Sequence, residues 1–155
     1  MRVGGKTQIL GLVVAGLLAG AGYLAYERLR GPAATAPDST RLALGGALYG
    51  THCAACHGAE LEGEPNWRQR KPDGLLPAPP HDETGHTWHH PDGQLFEITK
   101  RGTAALVGSD YQSAMGSFGE VLSDDEIRAV LAYIKSRWPE NVRARQAEIT
   151  ERAGN

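Results

Sequence analysis

The sequence predicts an all-α domain. Three observations carry this: apolar residues recur at helical spacing in two separate segments, a capping box opens the stronger of them, and twenty Gly and nine Pro stand against only 6% aromatic residues. The last point indicates long loops around a thin protein core that something other than protein helps to fill. The first helix is expected over residues 41–52, with Leu44, Ala47, Leu48 and Thr51 on one face. Residues 60–80 read mostly as loop. Pro91 opens a short helix through Arg101, with Leu95 and Ile98 on one side and Gly102 as its stop. The last domain helix is the best defined: Ser123-Asp124-Asp125-Glu126 spells a capping box, and Ile127, Val130, Leu131, Ile134 and Trp138 recur at helical spacing until Pro139. Residues 139–155 alternate in charge with few apolar side chains and read as a solvated helical tail.

Ahead of this domain, residues 7–26 carry no charge and are largely apolar. At about 1.5 Å rise per residue such a stretch just spans a hydrocarbon layer of about 30 Å. Arg2 and Lys6 hold its start on the cytoplasmic side, so the rest of the chain lies outside. A cleaved signal peptide is the alternative, with Ala19-Gly20-Ala21 as the processing site. The apolar run continues past that triplet, and the second small triplet, Ala34-Thr35-Ala36, is followed by Pro37, so the reading favours an uncleaved anchor. The organisation is then an N-terminal transmembrane helix or signal over 1–30, a linker over 31–40, a folded domain over 41–138 and the charged tail. The localisation is a single pass in a bacterial cytoplasmic membrane, with the domain on the periplasmic side.

Length and charge narrow the function. A chain of 155 residues leaves room for one ordinary domain. Sixteen Lys and Arg against eighteen Asp and Glu give a net charge of −2, and since the first thirty residues hold four cations against Glu27 alone, the remainder carries −5. No basic stripe with interleaved aromatics appears, so no nucleic acid is expected as a partner.

Both cysteines fall within Cys53-Ala54-Ala55-Cys56-His57, the spelling of covalent haem c attachment. On a helical turn the positions i, i+3 and i+4 share a face, so two thiols and an imidazole approach one flat macrocycle together. Each thiol adds to a vinyl group, and His57 supplies an axial nitrogen to the iron. Three rival readings are weaker. A disulfide between Cys53 and Cys56 closes a very short loop and gains little entropy; a thioredoxin-like pair needs a strand-helix context that these flanks lack; and His86 stands too far from Cys56 for a zinc finger.

At these residues the chain resembles the class I, single-haem c-type cytochromes, small exported electron carriers, over about residues 41–138. Gly45 and Tyr49 hold the places of that family's first-helix glycine and aromatic, eight and four residues before the first cysteine. The resemblance implies a cytochrome c-like helical domain around one covalent haem c, with the last helix crossing the first near Gly45. It also implies a second axial ligand. Apart from Met1 the chain has only Met115, in Ser113-Ala114-Met115-Gly116, placed shortly before the last helix as in that family. Gly116 stands where many relatives have proline, and His81, His86, His89 and His90 are the rival donors. The run from Pro72 to Pro80 resembles the family's proximal segment, in which a proline carbonyl accepts the N–H of the axial imidazole; Pro77, Pro79 and Pro80 are all candidates, and Leu75 and Leu76 are expected on the porphyrin.

The histidine-rich stretch Thr84-Gly85-His86-Thr87-Trp88-His89-His90-Pro91 is read as a polar loop at the haem edge, with Trp88 and His89 or His90 anchoring a propionate. Its sharper alternative is a copper-handling redox module. The function implied is single-electron transfer by Fe(II)/Fe(III) cycling with His/Met ligation, without enzymatic bond-making. By resemblance the partners are a quinol-oxidising complex, a dehydrogenase or a terminal oxidase. The other class to weigh is a haem subunit of an oxidoreductase or a ligand-binding haem protein with a labile Met115.

Overall fold

The computed structural model describes residues 38–108 and 110–154. The expected anchor and residues 31–37 of the expected linker lie outside the described residues. Among those residues the secondary structure is wholly helical, with no strand. None of these helices is long and apolar enough to cross a membrane.

Helix α1 spans Ser39–His52, two residues longer at its start than the apolar pattern marks, because the Asp38 side chain accepts the Thr40 N–H at 3.1 Å and caps it. One turn follows, α2 (Ala54–His57), ending at Gly58. A long loop then runs to a 3-10 turn at Thr87–His89. Helix α3 (Asp92–Arg101) stops at Gly102, and α4 (Thr103–Val107), a short helix the glycine-rich sequence does not announce, follows at once. Helix α5 (Asp124–Ser136) carries the expected capping box: the Ser123 hydroxyl accepts the Glu126 N–H, and the Glu126 carboxylate accepts the Ser123 N–H at 2.8 Å.

The principal packing is α1 against α5. A Cβ placed on Gly45 would collide with the backbone carbonyl of Ala129, so the missing side chain is what lets the two backbones approach. That contact sets which face of α1 is buried, and it corrects the sequence expectation. Leu44, Ala47 and Thr51 are exposed, whereas Gly45 and Tyr49 are buried and Leu42 and Leu48 half-buried. Hydropathy along a helix marks where its bulky apolar residues lie, and here the contact line follows the smallest residue instead. The core cluster is Tyr49, Leu61, Val130, Ile134 and Trp138.

The C-terminal segment also departs from expectation. It forms helix α6 (Glu140–Arg152), but it is no solvated tail. Val142 packs against the core cluster, and Gln146 is fully buried. The Gln146 amide nitrogen lies 2.6 Å from Asp92 Oδ1, 3.0 Å from Thr150 Oγ1 and 3.2 Å from the His90 carbonyl oxygen. Asp92 also accepts from Lys135 Nζ at 2.7 Å, and its backbone N–H donates to Thr150 Oγ1. One buried amide thus joins α6 to the start of α3 and the end of the histidine-rich loop.

Candidate functional site

The turn that bears the cysteines continues from α1. The Cys53 N–H donates to the Tyr49 carbonyl at 2.9 Å, and the Cys56 and His57 N–H groups both donate to the Cys53 carbonyl. Both thiols are free, Cys56 exposed and Cys53 half-buried. Burial, with a smaller contribution from Cys56, pushes the Cys53 thiol up to about 11. Tyr49 fixes the end of the turn, its hydroxyl donating to the Gly58 carbonyl at 2.8 Å; burial raises its phenol far above the usual range.

Of the three candidate prolines, Pro79 is the one whose carbonyl meets His57, 2.8 Å from Nδ1. Its placement comes from the loop folding back on itself. The Gly63 N–H donates to the His57 carbonyl, the Glu64 N–H to the Ala78 carbonyl, and the Ala78 N–H to Glu64 Oε2. Gly63, at φ 69°, lies against the backbone of Pro79 and Pro80, where a Cβ would not fit. Lys71, first, and the Ala78 N–H hold the Glu64 carboxyl below its ordinary range, so it stays an acceptor. Because a carbonyl only accepts, Nδ1 of His57 carries the proton and Nε2 is left as a lone-pair donor. Burial draws the His57 imidazole below its usual value, partly opposed by that hydrogen bond. Leu75 and Leu76 are half-buried on the same loop.

His81 follows two residues after Pro79, with its ring stacked on that of His57 at 3.9 Å between centroids. Two stacked rings in van der Waals contact could not bind one iron from opposite sides, so were His57 to hold the iron, His81 would not be the ligand opposite it. Met115 is half-buried, and its thioether accepts the Thr103 hydroxyl at 3.6 Å. Sequence reasoning missed that contact, because Thr103 belongs to the unannounced helix α4.

The histidine-rich stretch is ordered by protein contacts of its own. The Trp88 indole N–H donates to the Glu83 carbonyl at 3.2 Å, so it is not a free donor. His90 Nδ1 lies 3.2 Å from Gln94 Oε1. His89 stacks on Trp88 and His86 on Trp67. No group of three His, Cys, Asp or Glu among the described residues is arranged to hold a metal ion, so the copper reading finds no donor set there.

Two free thiols, a neighbouring imidazole with its tautomer fixed, and a glycine-mediated helix crossing define a helical domain built to attach a haem. A family model described as cytochrome c matches residues 42–138, and the chain belongs to the cytochrome c family. The family is one of electron-transfer proteins with covalently attached haem c, and Cys53, Cys56 and His57 agree with its attachment motif. No curated protein and no solved structure gives a significant match.

Proposed function

We propose that this chain is a monohaem electron carrier tethered to the outer face of a bacterial cytoplasmic membrane, with His57 and Met115 as the two axial ligands. The observation that carries the reading is the 2.8 Å contact of His57 Nδ1 with the Pro79 carbonyl, which turns Nε2 into a fixed, basic donor. Cys53 and Cys56 hold the macrocycle by thioether bonds. A haem held in this way supplies one-electron Fe(II)/Fe(III) cycling. Met115 contributes a soft sulfur donor that favours the ferrous state, and the Thr103 hydroxyl orients its thioether. Glu64 and Gly63 keep the Pro79 segment seated, so the acceptor of His57 Nδ1 stays in place. No substrate bond is made or broken.

The uncharged apolar run over residues 7–26 supports the tether, which raises the effective concentration of the carrier near membrane complexes. A quinol-oxidising complex, a dehydrogenase or a terminal oxidase is the proposed class of partner.

The test is an optical spectrum of the purified ferric protein. A long-wavelength sulfur-to-iron band that vanishes in Met115→Ala is expected, together with inertness of the reduced protein to carbon monoxide. Prompt carbon monoxide binding by the wild type overturns the carrier reading in favour of a ligand-binding haem protein.

A further inference from the structure

The His57–His81 stack is too well supported to be incidental packing. The two rings are 21° from parallel, and His81 is held at its backbone N–H, its carbonyl and its ring Nδ1. Its N–H donates to the Leu61 carbonyl at 2.7 Å, its own carbonyl accepts the Trp138 indole N–H at 2.6 Å, and its Nδ1 lies 2.8 Å from the hydroxyl of buried Thr87. The Tyr49 ring meets it edge-on, 6.4 Å between centroids. Leu61 itself is buried in the core at φ 74°, a conformation leucine rarely adopts, so the residue that seats His81 is fixed by the surrounding structure.

His57, by contrast, is restrained at its ring by a single hydrogen bond. The Pro79 carbonyl selects the tautomer and the direction of Nδ1, but one hydrogen bond leaves the ring free to rock about that direction. A flat side chain lying over the ring removes this freedom, because tilting either ring breaks the van der Waals contact along its whole length. An aliphatic side chain would touch one edge only. A histidine meets the need for a plane while giving a polar nitrogen to Thr87, where a phenyl ring would leave that buried hydroxyl without this partner.

We propose that His81 is a positioning residue that sets the plane of the His57 imidazole, acting with the Pro79 carbonyl as the second of two restraints. The proposal rests on His57 as the iron ligand. The orientation of an axial imidazole plane governs how unpaired spin is distributed over a ferric haem, and the order and spread of the ring-methyl proton shifts report it.

The experiment compares ferric NMR spectra of the haem-loaded wild type, His81→Leu, His81→Phe and Thr87→Val, with the sulfur-to-iron band recorded in each. His81→Leu is expected to change the order or spread of the methyl shifts while covalent haem and the band are retained. His81→Phe, which restores a plane, is expected to lie closer to the wild type than His81→Leu. Thr87→Val keeps the ring but frees Nδ1, and is expected to move the same methyls by less. A His81→Leu spectrum matching the wild type overturns the proposal, as does a His81→Phe spectrum displaced as far as that of His81→Leu. If His81→Leu does not accumulate, Thr87→Val decides alone, and an unchanged methyl pattern in it overturns the proposal. Failure of the underlying ligand reading is separate, since it shows in the wild type as absent imidazole ligation.

Discussion

The indole N–H of Trp138 donates to the carbonyl of His81 at 2.6 Å, which ties the residue just past α5 to the one that stacks on His57. Trp138 is buried, and the same side chain closes the core cluster with Tyr49 and Ile134. This hydrogen bond therefore helps fasten the loop that carries Pro79 to the core, beside the one from the His81 N–H to the Leu61 carbonyl. Trp138→Phe keeps most of the apolar volume and deletes the donor, which leaves a buried carbonyl short of a partner. A loss of about 1–2 kcal/mol is expected in denaturant unfolding of the haem-loaded protein. Trp138→Ala, which also opens a cavity, is expected to cost about 3–5 kcal/mol.

Two of the three glycines in helix α1 have opposite consequences. Gly45 faces the Ala129 carbonyl with no room for a Cβ, whereas nothing lies within 4 Å of the position a Cβ would take on Gly50. Gly45→Ala forces the two helices apart and is expected to destabilise by about 1–3 kcal/mol. Gly50→Ala lies in the same helix, restricts only the unfolded chain and is expected to stabilise by about 0.5–1 kcal/mol. Thermal midpoints of the pair check the sign difference; equal shifts would contradict the close crossing.

The elements legible in the sequence are those whose signal is local. A cysteine pair and histidine at i, i+3 and i+4, a Ser-to-Glu capping box and a glycine stop each depend on a few neighbouring residues, and each appears in the structure where the sequence marks it. The choice of Pro79 over Pro77 and Pro80 was not legible, because it depends on Gly63 and Glu64, about fifteen residues back along the loop. The buried face of α1 was misread for a related reason: a glycine contributes nothing to hydropathy, yet it sets the line of closest approach. His81 was visible only as one imidazole among several, since stacking on His57 is a tertiary fact. The tail misled because its key buried residue is polar, and a single buried Gln146 leaves no apolar stripe to read.

That glutamine gives a third prediction. Gln146 is the one side chain of α6 that reaches both the His90 carbonyl and Asp92. In Gln146→Ala the carbonyl and the carboxylate lose their amide donor, while Lys135 still neutralises Asp92. A cost of about 1–2 kcal/mol is expected, and it should be local. Amide hydrogen exchange is expected to quicken in α6 and around residues 86–92, with α1 and α5 unchanged. Uniform acceleration over the whole domain would mean that α6 is no separate clamp.

The capping box of α5 makes stability depend on pH with a definite sign. Backbone and hydroxyl donors of Ser123 hold the Glu126 carboxyl below its ordinary value. A carboxyl with a depressed value in the folded state binds its proton more readily in the unfolded chain. Its contribution is therefore fully present above the ordinary glutamate value of about 4.3 and disappears as the pH falls through the lower folded value. Glu126→Gln lacks this titration but leaves the Ser123 cap and the rest of the molecule in place. The wild type is expected to be the more stable of the two at pH 7, with the gap constant down to about pH 5 and closing below about pH 4. Taking the difference between the two proteins cancels the acid-sensitive groups that do not interact with Glu126, the His57 imidazole included. A gap that widens on acidification, or one absent at neutral pH, would show that the Ser123–Glu126 contact does not favour the carboxylate.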